Sequence, residues 1–137
     1  MNIGQVLHTR WAAGTTLNGL LAAAKVMTGR YFAEDPTFPY ATITRPNDVP
    51  QGYTSDGAAV ERVAVRITVY HAFESYDEGL AIADAVKSTF DREDFDLSGS
   101  DKVLNMQRSG YQEIQDEDGD WYFVIDFECP VHLSAGV

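Results

Sequence analysis

The residues with the most obvious chemical potential form an acidic run at 116–120 (Asp-Glu-Asp-Gly-Asp). Aspartates at alternate positions can offer oxygen ligands to calcium, but an EF-hand type of loop needs glycine at its sixth position and glutamate at its twelfth. Counted from Asp116, Gly119 is fourth and Phe127 is twelfth. We therefore interpret the run as a hairpin turn, with the Asp-Gly pair supplying the positive φ that tight hairpins need, and expect no metal site.

The histidines and the single cysteine do not suggest a catalytic cluster. His8, His71 and His132 are far apart in sequence, and none has a ligand-like neighbour two to four residues on. Cys129 shares strand parity with Phe127, which predicts a buried, inert thiol. The sequence also lacks a Gly-rich phosphate loop, a Gly-x-Ser-x-Gly elbow and a Cys-x-x-Cys pair. We expect no catalytic residues, no cofactor and no enzyme activity.

The clearest structural unit runs from residue 60 to residue 93. Its first part alternates, with apolar residues on one face of a predicted strand and Arg62, Arg66 and Thr68 on the other. The apolar set is Val63, Val65, Ile67 and Val69. Ser75 and Glu78 then have the spacing of a capping box. A helical stripe follows, in which small residues would allow close approach to a sheet: Gly79, Ile82, Ala83, Val86 and Phe90.

The remaining segments complete one α+β domain over residues 1–137. Two N-terminal helices are predicted, over 2–13 and from Thr15 or Thr16 onward. Strands are predicted at 26–32, 40–45, 103–115 and 121–131, the last two forming a hairpin. The order α-α-β-β-β-α-β-β indicates a mixed, mainly antiparallel sheet with one long helix packed on it.

Residues 46–59 are predicted to form a long, mobile loop, because Pro46, Pro50, Gly52 and Gly57 interrupt both periodicities. A loop of this length in a compact domain is often functional. One interpretation is a solvated excursion, and the other is a segment that becomes ordered on a partner.

The charge balance narrows the class of partner. Ten Lys and Arg against 21 Asp and Glu give a formal charge of −11. Such a surface argues against binding to nucleic acid or to an anionic membrane, since both need clustered basic residues. One cysteine and the absence of a basic leader are compatible with a soluble protein made in the cytoplasm.

The order of elements resembles the tail-completion proteins of long-tailed phages, also called tail terminators or head–tail joining proteins. The resemblance rests on residues 38–43 entering a strand, the strand at 62–71, the helix at 75–86 and the closing strand at 121–127. It is a similarity of pattern over nearly the whole chain, from which the loop at 46–59 departs.

The resemblance implies a virion structural protein at the head–tail junction, made in a bacterial host. Such proteins form a hexameric ring that caps the tail tube, ends its polymerisation and meets the head's connector or stopper protein. Prophages and gene transfer agents use similar parts. DNA would pass through the ring without specific binding, and an acidic lumen would repel its phosphates. The alternatives are a head-side neck or stopper protein, a small cytoplasmic α+β binding module, and an enzyme with a dispersed site.

The candidate contact residues lie in the loop, on the polar face of the strand after it, and in the acidic turn. Arg62 and Arg66 are candidates for pairing with acids of a neighbouring subunit, or else are solvated arginines of little consequence. The full set is Asn47, Asp48, Gln51, Tyr53, Asp56, Arg62, Arg66, Asp118 and Asp120.

Overall fold

The computed structural model describes residues 2–29, 37–46, 48–53 and 59–133, with the backbone alone described for 48–53. The helices are α1 (Ile3–Ala13), α2 (Thr15–Leu20) and α3 (Tyr76–Phe90). The strands are β1 (Val26–Thr28), β2 (Tyr40–Thr44), β3 (Asp48–Tyr53), β4 (Ala59–His71), β5 (Glu93–Asp96), β6 (Lys102–Gln115) and β7 (Trp121–Leu133). Short 3₁₀ turns precede β1 and α3. In the part of the chain described, no helix is long and apolar enough to cross a membrane.

The strands form one sheet in the order β1-β2-β4-β7-β6-β5. β3 also pairs with β4. It lies beside the N-terminal half of β4, whereas β2 lies beside the C-terminal half of β4. Strands β1 and β2 are parallel, and every other pairing described is antiparallel. The predicted α+β class and the mixed, mainly antiparallel sheet are confirmed.

Strand alternation separates the two faces of the sheet as predicted. Val63, Val65, Ile67 and Val69 of β4 are buried. They pair across the ladder with residues of matching parity in β7, where the side chains from Phe123 to Val131 at alternate positions are also buried. These residues form the inner face, which the helices cover. The opposite parity forms the outer face, on which no helix lies among the described residues.

Helix α3 approaches the inner face closely because Gly79 has no side chain. A Cβ atom at Gly79 would lie 2.4 Å from Cε2 of Phe123. All five residues of the predicted helical stripe are buried. The predicted capping box is wrong: Ser75 occupies the N-cap position without a side-chain capping bond. Glu78 instead places Oε1 3.2 Å from Nε2 of His71.

The N-terminal helices close the other half of the inner face. Ile3, Leu7 and Trp11 of α1 are buried, and the Trp11 indole Nε1–H donates to the carbonyl oxygen of Leu21 at 2.8 Å. Helix α2 begins after Gly14 without a side-chain cap from either threonine.

Two segments differ from the prediction. Residues 48–53, predicted as part of an irregular loop, form β3 and pair with β4. The pairing register shifts between Pro50 and Gly52, so a bulge accommodates the two residue types that indicated a loop. Residues 93–96, predicted as helix end and polar connection, form β5 beside β6.

Candidate assembly surface on the outer face

An aromatic row crosses one end of the outer face. Tyr40, Tyr70 and Tyr122 occupy directly paired positions on β2, β4 and β7. The rings of Tyr40 and Tyr70 stack at 4.5 Å, and Tyr70 meets Tyr122 edge to face at 4.9 Å. Phe38 stacks on Tyr40 at 5.7 Å, and Ile114 of β6 pairs with Tyr122 at the other end. We call these five residues the tyrosine row.

The tyrosine row is rimmed by negative charge. The pKa of Tyr40 is raised to about 12, mainly by burial and then by its tyrosine neighbours, Asp120 and Asp116. The pKa of Tyr122 is also raised, first by burial and then by the hydrogen bond from its hydroxyl to Asp116. These tyrosines therefore stay neutral at physiological pH and present phenol groups beside carboxylates.

The predicted hairpin turn at 116–120 is confirmed, and we call it the acidic hairpin. The Asp116 carboxylate accepts backbone N–H bonds from Asp118 and Asp120, both at 2.9 Å. The Gly119 N–H donates to the carbonyl oxygen of Asp116. Gly119 has a φ of +87°, a backbone conformation that is strained for residues with a side chain. The carboxylates of Asp116, Asp118 and Asp120 lie within 4.8 Å of one another. Because Asp116 is used by the turn itself, the structure accounts for this cluster as hairpin geometry.

Arg62 and Arg66, which were predicted as contact residues, lie farther along the outer face and pair with acids of the same chain. Arg66 faces Asp126 across the β4–β7 ladder and donates two hydrogen bonds to its carboxylate, at 2.8 and 3.2 Å. The hydrogen bond to Asp126 is the main cause of the raised pKa of Arg66. Arg62 lies 3.9 Å from Glu128. Both arginines therefore have an acidic partner in their own chain, and their pairing with acids of a neighbouring subunit stays a prediction.

The predicted contact residues fall into two groups. Asp48, Gln51 and Tyr53 lie on β3, beside the half of β4 that carries Arg62. Asp118 and Asp120 lie at the opposite end, beyond the end of β4 at His71. Arg62 and His71 are nine residue steps apart along β4, which is about 30 Å at the usual rise per residue. Asn47 and Asp56 lie outside the described residues.

Titratable groups on the inner side link elements together. Tyr76 of α3 and Tyr111 of β6 both donate hydroxyl hydrogen bonds to Glu113, at 2.6 and 2.7 Å. These bonds, Tyr76 first, lower the pKa of Glu113, which is therefore an anion and a poor general acid at neutral pH. Lys87 lies 3.5 Å from the centroid of the Tyr111 ring. The group fastens α3 to β6.

Cys129 and His71 are buried in the core. Cys129 is fully buried, and burial raises the pKa of its thiol to about 12, so the thiol is inert as predicted. His71 is buried and accepts the Ala72 N–H at Nδ1, while Nε2 faces Glu78 without the alignment of a hydrogen bond.

A cleft of about 690 Å³ opens between α1 and the ends of β1 and β2. Arg45 and Arg66 are the titratable residues among the described side chains that line it, and the rest of the lining is mostly apolar or small. It therefore does not bring an acid, a base and a nucleophile together.

Sequence reasoning missed the tyrosine row. The signal available in the sequence was the alternation of the strands. Tyr70 and Tyr122 fall on the polar faces of their strands, where large aromatic side chains are unexpected. Their alignment with Tyr40 depends on the strand register, which the pattern of single strands does not contain.

The comparisons agree with the predicted family. The sequence matches the family model described as tail completion protein gp17 over residues 5–129. The fold is similar to a chain of a solved structure described as the virion of a native gene transfer agent particle, with a TM-score of 0.74 and 13% identity. That alignment covers 95% of this chain and 94% of the other, and at such identity it shows a shared fold. No curated protein matches the sequence. The chain therefore belongs to the tail completion protein family, and its role is that of a structural component of a phage-like tail.

Proposed function

We propose that this chain assembles into a ring that caps the tail tube, ends tail polymerisation and joins the tail to the head. The observation that carries the proposal is the family match over residues 5–129. The match spans β1 to β6 and all but the last four residues of β7. In this function the chemistry of the protein is contact between subunits, and no catalysis is required.

The arrangement of the chain supports a contact function. The inner face is occupied by the three helices, so partners must use the outer face, the sheet edges or the outer sides of the helices. The outer face offers an aromatic end and an ion-paired end rather than a convergent set of catalytic groups. The titratable clusters that are described serve to hold a turn or to fasten α3 to β6.

A hexameric ring would be strongly acidic. At −11 for each chain, six chains carry 6 × −11 = −66. A lumen of that sign repels DNA phosphates within the Debye length of about 8–10 Å at physiological salt. DNA would then pass through without binding, which suits a conduit between head and tail. A ring whose lumen is lined mainly by Lys and Arg would contradict this part of the proposal.

The experiment is deletion of the gene from the genome that encodes the particle. Tail lengths are measured by electron microscopy, and complementation with the intact gene is the control. Loss of a tail terminator should give tubes of uncontrolled length that do not join heads. Loss of a head-side neck or stopper protein should give tails of normal length that remain separate. Normal, fully joined particles would refute both. Light scattering after size exclusion tests the ring, with a mass near six times 15.1 kDa expected.

A further inference from the structure

The end of the sheet that carries the tyrosine row is both apolar and acidic. Three large apolar side chains are exposed there: Phe38 at 39%, Ile114 at 42% and Phe73 at 60%. Phe73 contacts the acidic hairpin, where its Cβ lies within 3.4 Å of the position of a Cβ built on Gly119. Exposed apolar groups gathered at one place on a surface mark a contact site more often than scattered ones do.

The outer face is negatively charged at this end. The segments 37–44, 70–80 and 111–123 contain eight of the 21 acidic residues and no Lys or Arg, and of these eight Glu78 and Glu113 lie on the helix side, beside His71 and Lys87. Four of the eight are in the acidic hairpin: Asp116, Glu117, Asp118 and Asp120. A partner that covers the tyrosine row must therefore bring positive charge, or bury its apolar groups beside unneutralised carboxylates.

The same chain shows twice how aromatic rings and acids hold a cation together. The Arg10 guanidinium lies 5.3 Å from the centroid of the Phe95 ring while Nη2 binds Glu93 at 2.7 Å. Lys87 lies over Tyr111, whose hydroxyl binds a carboxylate. Arginine is the better cation for such a place, because its planar group stacks on a ring and can also bind a carboxylate with two N–H groups.

We propose that the tyrosine row and the acidic hairpin form one docking surface for an arginine-bearing segment of a partner protein. Guanidinium groups stack against Phe38 and the tyrosines, and they donate to the hairpin carboxylates. A second copy that presents the same face is disfavoured, since it would set one acidic hairpin against another. The inference goes beyond ring formation and does not depend on it.

The test uses the full chain and three synthetic peptides, with four repeats of Arg-Gly, Lys-Gly or Glu-Gly. Affinity is measured by calorimetry at fixed salt, and the binding face is mapped by amide chemical shifts. We expect the arginine peptide to bind more tightly than the lysine peptide and the glutamate peptide not to bind. The largest shifts should fall at Tyr70, Tyr122 and the acidic hairpin.

Two variants and one matched control separate this site from general attraction to an acidic protein. Phe38→Leu keeps an apolar side chain but removes the ring, and should lower arginine-peptide affinity about two- to fivefold and lysine-peptide affinity by a smaller factor. Asp118→Asn should lower the affinity for both basic peptides by about the same factor. Asp96→Asn removes one exposed charge from β5, far from the row, and should have little effect.

Three results would overturn the proposal. The first is equal affinity for the arginine and lysine peptides in the wild-type chain. The second is an Asp96→Asn variant that loses as much affinity as Asp118→Asn. The third is a concentration-dependent shift at the tyrosine row without peptide, which would show that a second copy covers this face. Tail length and particle joining in the gene deletion test the ring separately, so the two proposals can fail independently.

Discussion

The closest contact between helix and sheet makes Gly79→Ala an informative substitution. The added Cβ would lie 2.4 and 2.8 Å from two carbons of the Phe123 ring, well inside van der Waals contact. The ring cannot simply swing aside, because Phe123 is fully buried and its ring lies 5.7 Å from that of Tyr76 and 6.3 Å from that of Trp121. Either α3 moves away from the sheet or the aromatic cluster repacks.

The size of the effect follows from two opposing terms. Inserting a methyl group into a packed core costs about 1–3 kcal/mol. Replacing glycine by alanine inside a helix returns about 0.5–1 kcal/mol, because the unfolded chain loses freedom. The net expectation for Gly79→Ala is a loss of up to about 2.5 kcal/mol in the free energy of unfolding, from the difference of these terms. For a chain of this size, each kcal/mol lowers Tm by about 3–4 °C.

The assay is urea unfolding followed by circular dichroism, with Gly19→Ala as the matched control. Gly19 lies in α2 with no atom within 4 Å of the new Cβ, so this variant should gain about 0.5–1 kcal/mol. The difference between the two variants isolates the steric term. Phe123→Leu should cost less in the Gly79→Ala background than in the wild-type chain, because the new methyl group takes space that the ring leaves. A Gly79→Ala protein as stable as Gly19→Ala would refute the close approach.

The remaining predictions concern individual polar contacts. Trp11→Phe should cost about 1–3 kcal/mol in urea unfolding, because it leaves the buried carbonyl of Leu21 without its donor. Arg66→Ala should cost less than about 1 kcal/mol, and less still in high salt, because its pair with Asp126 is exposed. The pKa of Glu113 is lowered in the folded state, so its stabilising effect is present above pH 4.5 and is lost as pH falls through the folded pKa. Glu113→Gln should therefore be less stable than wild type at pH 7, and the difference should shrink as pH falls through the folded pKa, again by urea unfolding.

The sequence was most informative where one face of an element is fully buried. The alternation in β4 and β7 and the stripe of α3 each identify the buried side correctly, because burial against a core requires that periodicity. Pro130 has no N–H to donate to a strand ladder, so the sequence favours a bulge or a sheet edge at this position. The bulge is found in the neighbouring strand β6, where the register shifts between Val103 and Gln107 and Asn105 has a φ of +63°.

The short strands were missed for local reasons. β3 contains Pro50 and Gly52, which favour a loop on propensity. Among the described residues β3 pairs with β4 alone, and a strand with one partner needs fewer N–H donors and can accommodate a bulge. β5 has the sequence Glu-Asp-Phe-Asp, whose charges depress strand propensity. It forms because Phe95 is buried against the core, a tertiary contact that no local window contains.

The two ends of the outer face differ in what they can gain from a partner. Arg62 and Arg66 already face Glu128 and Asp126, so a neighbour's acid would replace one exposed ion pair by another, with a gain near zero. The acidic hairpin has no Lys or Arg within residues 111–123, and its carboxylates repel one another in the free chain. A cation brought there both relieves that repulsion and finds aromatic rings beside it. Charge therefore favours the hairpin end over the arginines as the place where a partner is held.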